Sequence, residues 1–174
     1  MPFTPLHMGP GLLIKATLQG SFSLMVFGWA QIIMDIQPLI VLITQQGQLH
    51  GFTHTFAGAT LIGLFAAVTG KHLSEFGLRI LHIATKDNPL SISWPVTVVS
   101  AFIGSFSHVL LDAVMYHDVE MYYPWSSDNP LLGLLSFEQV HLLCLASAAV
   151  GAVMYFSIQA FVLKRPISKL DQMR

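Results

Sequence analysis

The chain reads as all-α, an integral membrane bundle of four transmembrane helices plus a short N-terminal half-helix or interfacial helix. Three observations predict this. Of 174 residues, 53% are hydrophobic and only 10% charged, where a soluble domain carries about 25% charged. Mean hydropathy is +0.64. Four apolar stretches reach the roughly 20 residues needed to cross about 30 Å of hydrocarbon. The length suits a single integral membrane domain over residues 1–174.

The spans are expected at about 20–44, 49–70, 94–116 and 140–163. The first carries Gln31, Asp35, Gln37 and Pro38, so a kink or break near Pro38 is expected. Ahead of it, Gly11–Gln19 is apolar but too short to cross alone, which suits an interfacial or re-entrant helix. The second span is rich in Gly, Ala, Leu and Phe. Gly58, Ala59 and Gly63 there, and Ser100, Ala101, Gly104, Ser105 and Ser107 in the third, permit close helix approach. The fourth span has small residues from Ala146 to Ala152. Between the second and third spans, Glu75–Ala84 is amphipathic and suits the membrane surface. Trp94, Tyr116, Tyr122, Tyr123 and Trp125 fall near span ends, as interfacial aromatics do.

Charge placement gives an orientation. Loop 71–93 holds Lys71, Arg79 and Lys86, and the tail 164–174 holds Lys164, Arg165, Lys169 and Arg174. With Lys15 these account for all eight basic residues. Segments 45–53 and 117–139 hold none, while the latter carries Asp118, Glu120, Asp128 and Glu138. By the positive-inside rule both termini, including the basic tail, are cytoplasmic, as expected of a bacterial inner-membrane protein. A net charge of −1 offers no basic face to nucleic acid, so the expected partners are membrane lipids. The small-residue faces suit self-association into a homo-oligomer as well as intramolecular packing. The N-terminus lacks a basic n-region and is broken by Pro2, Pro5 and Pro10, unlike a cleavable signal peptide. The single cysteine, Cys144, has no intrachain disulfide partner and reads as a buried thiol.

Polar residues stand where polarity is expensive. Asp35, His54, His108 and Asp112 lie within or at the lip of apolar stretches, and ionisable groups at membrane depth cost several kcal/mol (~3) unless paired, hydrated or bound to a cation. His50-x-x-x-His54 and His108-x-x-x-Asp112 share a spacing of four, which points both side chains of a helical pair the same way. In the expected topology His50, His54, His108, Asp112, His117, Asp118 and His141 fall in the outward half, with Asp35 just past the middle of the first span. Imidazoles and carboxylates converging at one depth suit zinc, as one or two ions, and other divalent transition metals fit the same ligands. Zinc-bound water ionises near neutral pH and attacks esters or phosphoesters. Asp35 or Asp118 would then serve as general base.

Plainer roles stand beside these. His108 and Asp112 would also suit a hydrogen-bonded helix-packing pair, and Asp35 the wall of a water pocket. His117 and His141 are interfacial, where ordinary surface imidazoles are common. His72 and His82 fall on the basic side.

Five short motifs occur in a familiar order: the opening MPFTPLH, Met34-Asp35-Ile36-Gln37-Pro38, His50-Gly51-Phe52-Thr53-His54, Ser107-His108-Val109-Leu110-Leu111-Asp112 and Tyr123-Pro124-Trp125-Ser126. Together they resemble the YdjM-type family of membrane-bound metal-dependent hydrolases, over about residues 1–145. The chain departs from that pattern in having Met34 before Asp35 in place of Pro, and in lacking the Arg of a His-Arg-Gly-x-Thr-His run. More distantly, the layout is similar to the zinc-dependent phospholipase C and single-strand nuclease superfamily. That likeness implies one metal on Asp35, His54, His108 and Asp112, and a second on His7 and a shared Asp112. His141 or His117 would complete the set, although no His-x-x-x-Glu follows His141. A ligand at His7 is reconciled with this topology if residues 7–18 form a half-helix running inward from the site, about 18 Å long; otherwise His7 is no ligand or the orientation is reversed.

The expected function is a membrane-embedded, metal-dependent hydrolase cleaving a phosphoester or ester, with a lipid as natural substrate. A metal-binding transporter is the first rival, although no inverted repeat is visible. A non-catalytic accessory membrane subunit is the second.

Overall fold

A computed structural model of the chain describes residues 5–81 and 91–163. The described residues are helical, with no strand among them: α1 (Met8–Leu18), α2 (Leu24–Met34), α3 (Ile36–Thr44), α4 (Phe56–Ile80), α5 (Trp94–Met115) and α6 (Phe137–Ile158). Four stretches are long and apolar enough to cross a membrane: Leu24–Thr44, Phe56–Ile80, Trp94–Met115 and Phe137–Phe161. The basic tail 164–174, and with it half of the orientation argument, lies outside the described residues, as do His82 and Lys86.

Local chemistry sets the helix starts. Ser23 caps α2 by accepting from the Val26 amide, and its own amide donates 2.9 Å to Ser100 Oγ of α5. Thr55 caps α4 through the Gly58 amide at 2.9 Å. Ser136 and Gln139 form a reciprocal capping box at α6.

The first span breaks at Asp35, one turn before the kink expected at Pro38. Pro38 sits instead in the first turn of α3, where its missing N–H has no helical acceptor to serve. It leaves the Met34 carbonyl without a donor four residues on, and the Thr53 hydroxyl approaches that oxygen at 3.5 Å. The break therefore falls at an acid that faces the bundle interior.

The second span also differs from its expected 49–70. Residues 52–54 form a 3-10 turn, and the helix begins only at Phe56. It then runs through Gly70 to Ile80, so Glu75–Ile80 continues α4 rather than forming a separate surface piece. Lys71 and Glu75 pair one turn apart and allow the helix to carry charge past the apolar segment. Residues 82–84 of the expected amphipathic piece lie outside the described residues.

Small residues bring the helices together. A Cβ on Gly104 of α5 would stand 2.8 Å from the Phe27 carbonyl oxygen of α2. A Cβ on Gly9 would meet the Cys144 carbonyl oxygen at 2.0 Å, and one on Gly151 the Leu13 nitrogen at 2.5 Å. Those last two pairs place α1 and α6 side by side and parallel. α1 leads away from His7 while α2 returns to Asp35, and α4 leads away from His54 while α5 returns to His108 and Asp112. The N-terminal half-helix is thus present, with His7 at its head. Segment 116–136 folds back over this end: Val119 and Met121 are buried, the Phe56 amide donates to the Met121 carbonyl at 2.9 Å, and Asn129 donates to the Ala113 carbonyl at 2.9 Å.

Candidate metal centre

The helix ends bring six side chains to one place. His7, Asp35, His50, His54, His108 and Asp112 are each exposed by 8% or less. Three overlapping triads, His7–His108–Asp112, Asp35–His54–His108 and His50–His54–Asp112, each set their ligand atoms within 4.8 Å of one another and could hold a metal ion.

Asp112 is the hub. Its Oδ2 lies 3.1 Å from His108 Nε2 and 3.2 Å from His54 Nε2, and its Oδ1 lies 3.7 Å from His7 Nε2. Asp35 Oδ1 is 3.3 Å from the same His108 nitrogen. Two ligands bound about 2.0–2.1 Å from a tetrahedral zinc stand about 3.4 Å apart. The observed separations bracket that value.

Unambiguous backbone groups show which imidazole nitrogens carry lone pairs. The Thr53 amide donates to Gln37 Oε1 at 3.0 Å, which orients that amide, and the Thr53 hydroxyl donates to the same oxygen at 2.9 Å. The hydroxyl oxygen then accepts from His54 Nδ1 at 2.9 Å. Nδ1 therefore carries the hydrogen, and His54 Nε2 presents its lone pair to Asp112. The same logic holds across the site. Gln31 Nε2 donates to the Gly104 carbonyl at 3.1 Å and to Ser107 Oγ at 3.3 Å, so Oε1 accepts from His108 Nδ1. His108 Nε2 then presents a lone pair to two carboxylates. Such partners on the far ring nitrogen commonly orient metal-binding histidines.

A lone pair aimed at a carboxylate repels it unless a cation lies between. Nε2 of His7, His54 and His108 are buried and have no hydrogen-bond partner among the described residues, which is rare for buried polar atoms. Burial lowers the tendency of His54 to protonate, against the opposing pull of Asp112. The donor set and its unsatisfied nitrogens fit a divalent metal.

The other expected residues lie around this cluster. Asp118 belongs to none of the triads; its Oδ1 accepts from His50 Nδ1 at 2.8 Å. Burial pushes the Asp118 carboxyl up, but the His50 side-chain hydrogen bond, the His50 charge and backbone amides together outweigh it and hold the group below the usual carboxylate range. The His50 ring also stacks on Tyr116, with centroids 4.4 Å apart. His141 is in none of the triads; its Nδ1 donates to the Phe137 carbonyl at 2.7 Å. His117 and His72 are exposed. Sequence reasoning assigned no role to Gln31, Gln37 or Thr53. Gln31 was findable, since an amide in an apolar span four residues from Asp35 repeats the spacing of the two histidine pairs.

The sequence model of the YdjM inner membrane protein family matches residues 14–168. The chain belongs to that family. The YdjM match covers every residue of the cluster except His7, and together with the four apolar helices it makes the chain an integral protein of an inner-membrane family. Neither a curated protein nor a solved structure matches the chain.

Proposed function

We propose that this YdjM-family protein is a membrane-embedded metal-dependent hydrolase, with zinc as its metal and a phosphoester or ester of a membrane lipid as its substrate. The observation that carries the reading is the convergence of three buried imidazole nitrogens on the Asp112 carboxylate, with His54 and His108 held in the ligating tautomer from their far ring nitrogens. Bound there, the metal would supply a water ionised near neutral pH and a Lewis acid for the scissile group.

The chain's own residues divide the remaining work. Asp112 offers one oxygen to His7 and the other to His54 and His108, an arrangement that suits a bridge between two ions. Gln31 and Thr53 hold His108 and His54 in the ligating tautomer. Asp35 is the most exposed carboxylate of the cluster and lies beside the His108 nitrogen, which suits it to receive a proton from the attacking water. Asp118 braces His50 from outside. The lipid assignment rests on depth, because the cluster lies among helix ends and beneath a loop rich in aromatic residues. By the distribution of basic residues, this end faces away from the cytoplasm.

The test is turnover of short-chain phosphodiester and carboxylic-ester lipids by metal-loaded protein in detergent, beside Asp112→Ala and Asp35→Asn. The expected result is hydrolysis that vanishes in both variants, with Asp35→Asn still holding metal. Metal-loaded protein that cleaves neither class, yet passes metal into liposomes, would replace the hydrolase with a transporter.

A further inference from the structure

A cavity of about 290 Å³ opens beside the cluster, lined by Gln48, His50, Phe52, Thr55, Glu120 and Tyr123 among others. It is smaller than the roughly 300–1,000 Å³ that encloses a drug-sized ligand, so it suits one polar group rather than a whole lipid. His50 joins it to the metal centre, since the same ring forms a triad with His54 and Asp112.

The lining has a definite charge preference. The Glu120 carboxylate has no hydrogen-bond or ion-pair partner among the described residues. Segments 45–53 and 117–139, which supply most of the wall, contain no Lys or Arg. An anionic group would meet no cation of the chain there, while a cation would meet a free carboxylate. Phe52 and Tyr123 are about half exposed, at 49% and 47%, and stack on no other ring among the described residues. Aromatic faces beside a carboxylate attract ammonium groups.

We propose that this cavity seats the amine-bearing, cationic headgroup of the lipid whose phosphoester lies at the metal centre. The inference rests on the hydrolase reading for what happens to the lipid, but the headgroup preference itself can be measured without turnover. Glu120 pairs with the ammonium, Tyr123 and Phe52 flank it, and His50 marks the boundary between headgroup and scissile group. Selection is by charge: the carboxylate attracts an ammonium and gains nothing from the uncharged glycerol of phosphatidylglycerol.

The experiment compares short-chain phosphatidylethanolamine with short-chain phosphatidylglycerol in detergent micelles. Binding is measured by isothermal titration to metal-loaded and to chelated protein, and turnover is followed separately. Wild type should bind the amine lipid about tenfold more tightly, a difference of about 1.4 kcal/mol. Glu120→Gln should abolish that preference while leaving metal content and phosphatidylglycerol binding unchanged. Tyr123→Leu should reduce the preference by a smaller factor. Equal binding of the two lipids by wild type, or a preference that survives Glu120→Gln, would overturn the proposal. If Glu120→Gln does not fold, the wild-type comparison and Tyr123→Leu decide. Glu120-dependent amine binding without any turnover keeps this inference and removes the hydrolase. Turnover indifferent to headgroup does the reverse.

Discussion

The molecule buries charge in two places and treats it in opposite ways. In the C-terminal half of α4, Lys71 is 8% exposed, and its ammonium donates to Glu75 and to the Ile92 carbonyl, with Ser91 Oγ at 3.5 Å. Glu75 accepts in turn from the Ile92 amide at 2.8 Å, and the Trp94 ring stands 5.5 Å from the ammonium. That network is closed: the donors have acceptors, and it ties the start of α5 to α4. At the other end the histidine nitrogens face Asp112 and Asp35 with nothing between them. Burial is similar in both places, so burial does not separate structure from function. Satisfaction does. A buried polar group whose hydrogen bonds are complete is holding the fold, and a convergent set left incomplete is holding a place for a ligand.

The comparison breaks first at Asp112. Asp112→Ala removes the hub of the open cluster, and it should strip the metal and reduce lipid turnover to background while the helices persist by circular dichroism. A smaller loss is expected one layer out. Gln31→Leu leaves His108 Nδ1 without its acceptor and should weaken metal binding about 10–100-fold, whereas Gln31→Glu, which still accepts from that nitrogen, should retain it. Competition titration with a chromophoric chelator measures both.

Lowering the pH sharpens the same contrast. Protons compete with metal for imidazole lone pairs. Burial holds the His54 value below its ordinary 6.5, so its neutral, ligating form persists to lower pH than in an exposed histidine. Metal should therefore leave progressively as the pH falls, read as metal retained after dialysis at stepped pH, and retention that does not change with pH would contradict the account.

The closed network should behave otherwise. Lys71→Met leaves Glu75 and the Ile92 carbonyl short of a donor and should cost about 1–3 kcal/mol, seen as a lower Tm in detergent, with metal content unchanged. The smallest effect is expected at His141, which stands outside the triads. His141→Ala should leave metal stoichiometry as it was, and loss of an equivalent would bring this residue into the ligand set.

Much of this was legible in the chain. Charge depletion and four apolar stretches expose an all-helical membrane bundle, because a bilayer imposes span length and polarity directly on sequence. Asp35, His54, His108 and Asp112 announce themselves because ionisable groups at that depth are costly. A ligand at His7 calls for a short helix leading away from the site, and α1 is such a helix. What was not legible depends on contacts between distant segments. Pro38 marks a disturbed first span, but the break falls at Asp35, whose carboxylate meets His108 of another helix. The continuation of α4 to Ile80 depends on Lys71 and Glu75 finding Ile92 across the chain. Asp118 reads as a candidate general base in sequence, and in the fold it faces His50.

The measurement closest to the central claim is the metal content of detergent-purified protein, by elemental mass spectrometry, beside a His108→Ala/Asp112→Ala variant. The account predicts one or two equivalents of zinc or another transition metal in the wild type, lost from a variant that remains helical. Absence of metal from both proteins, after reconstitution with zinc, would contradict it and leave the cluster as packing in an accessory membrane subunit.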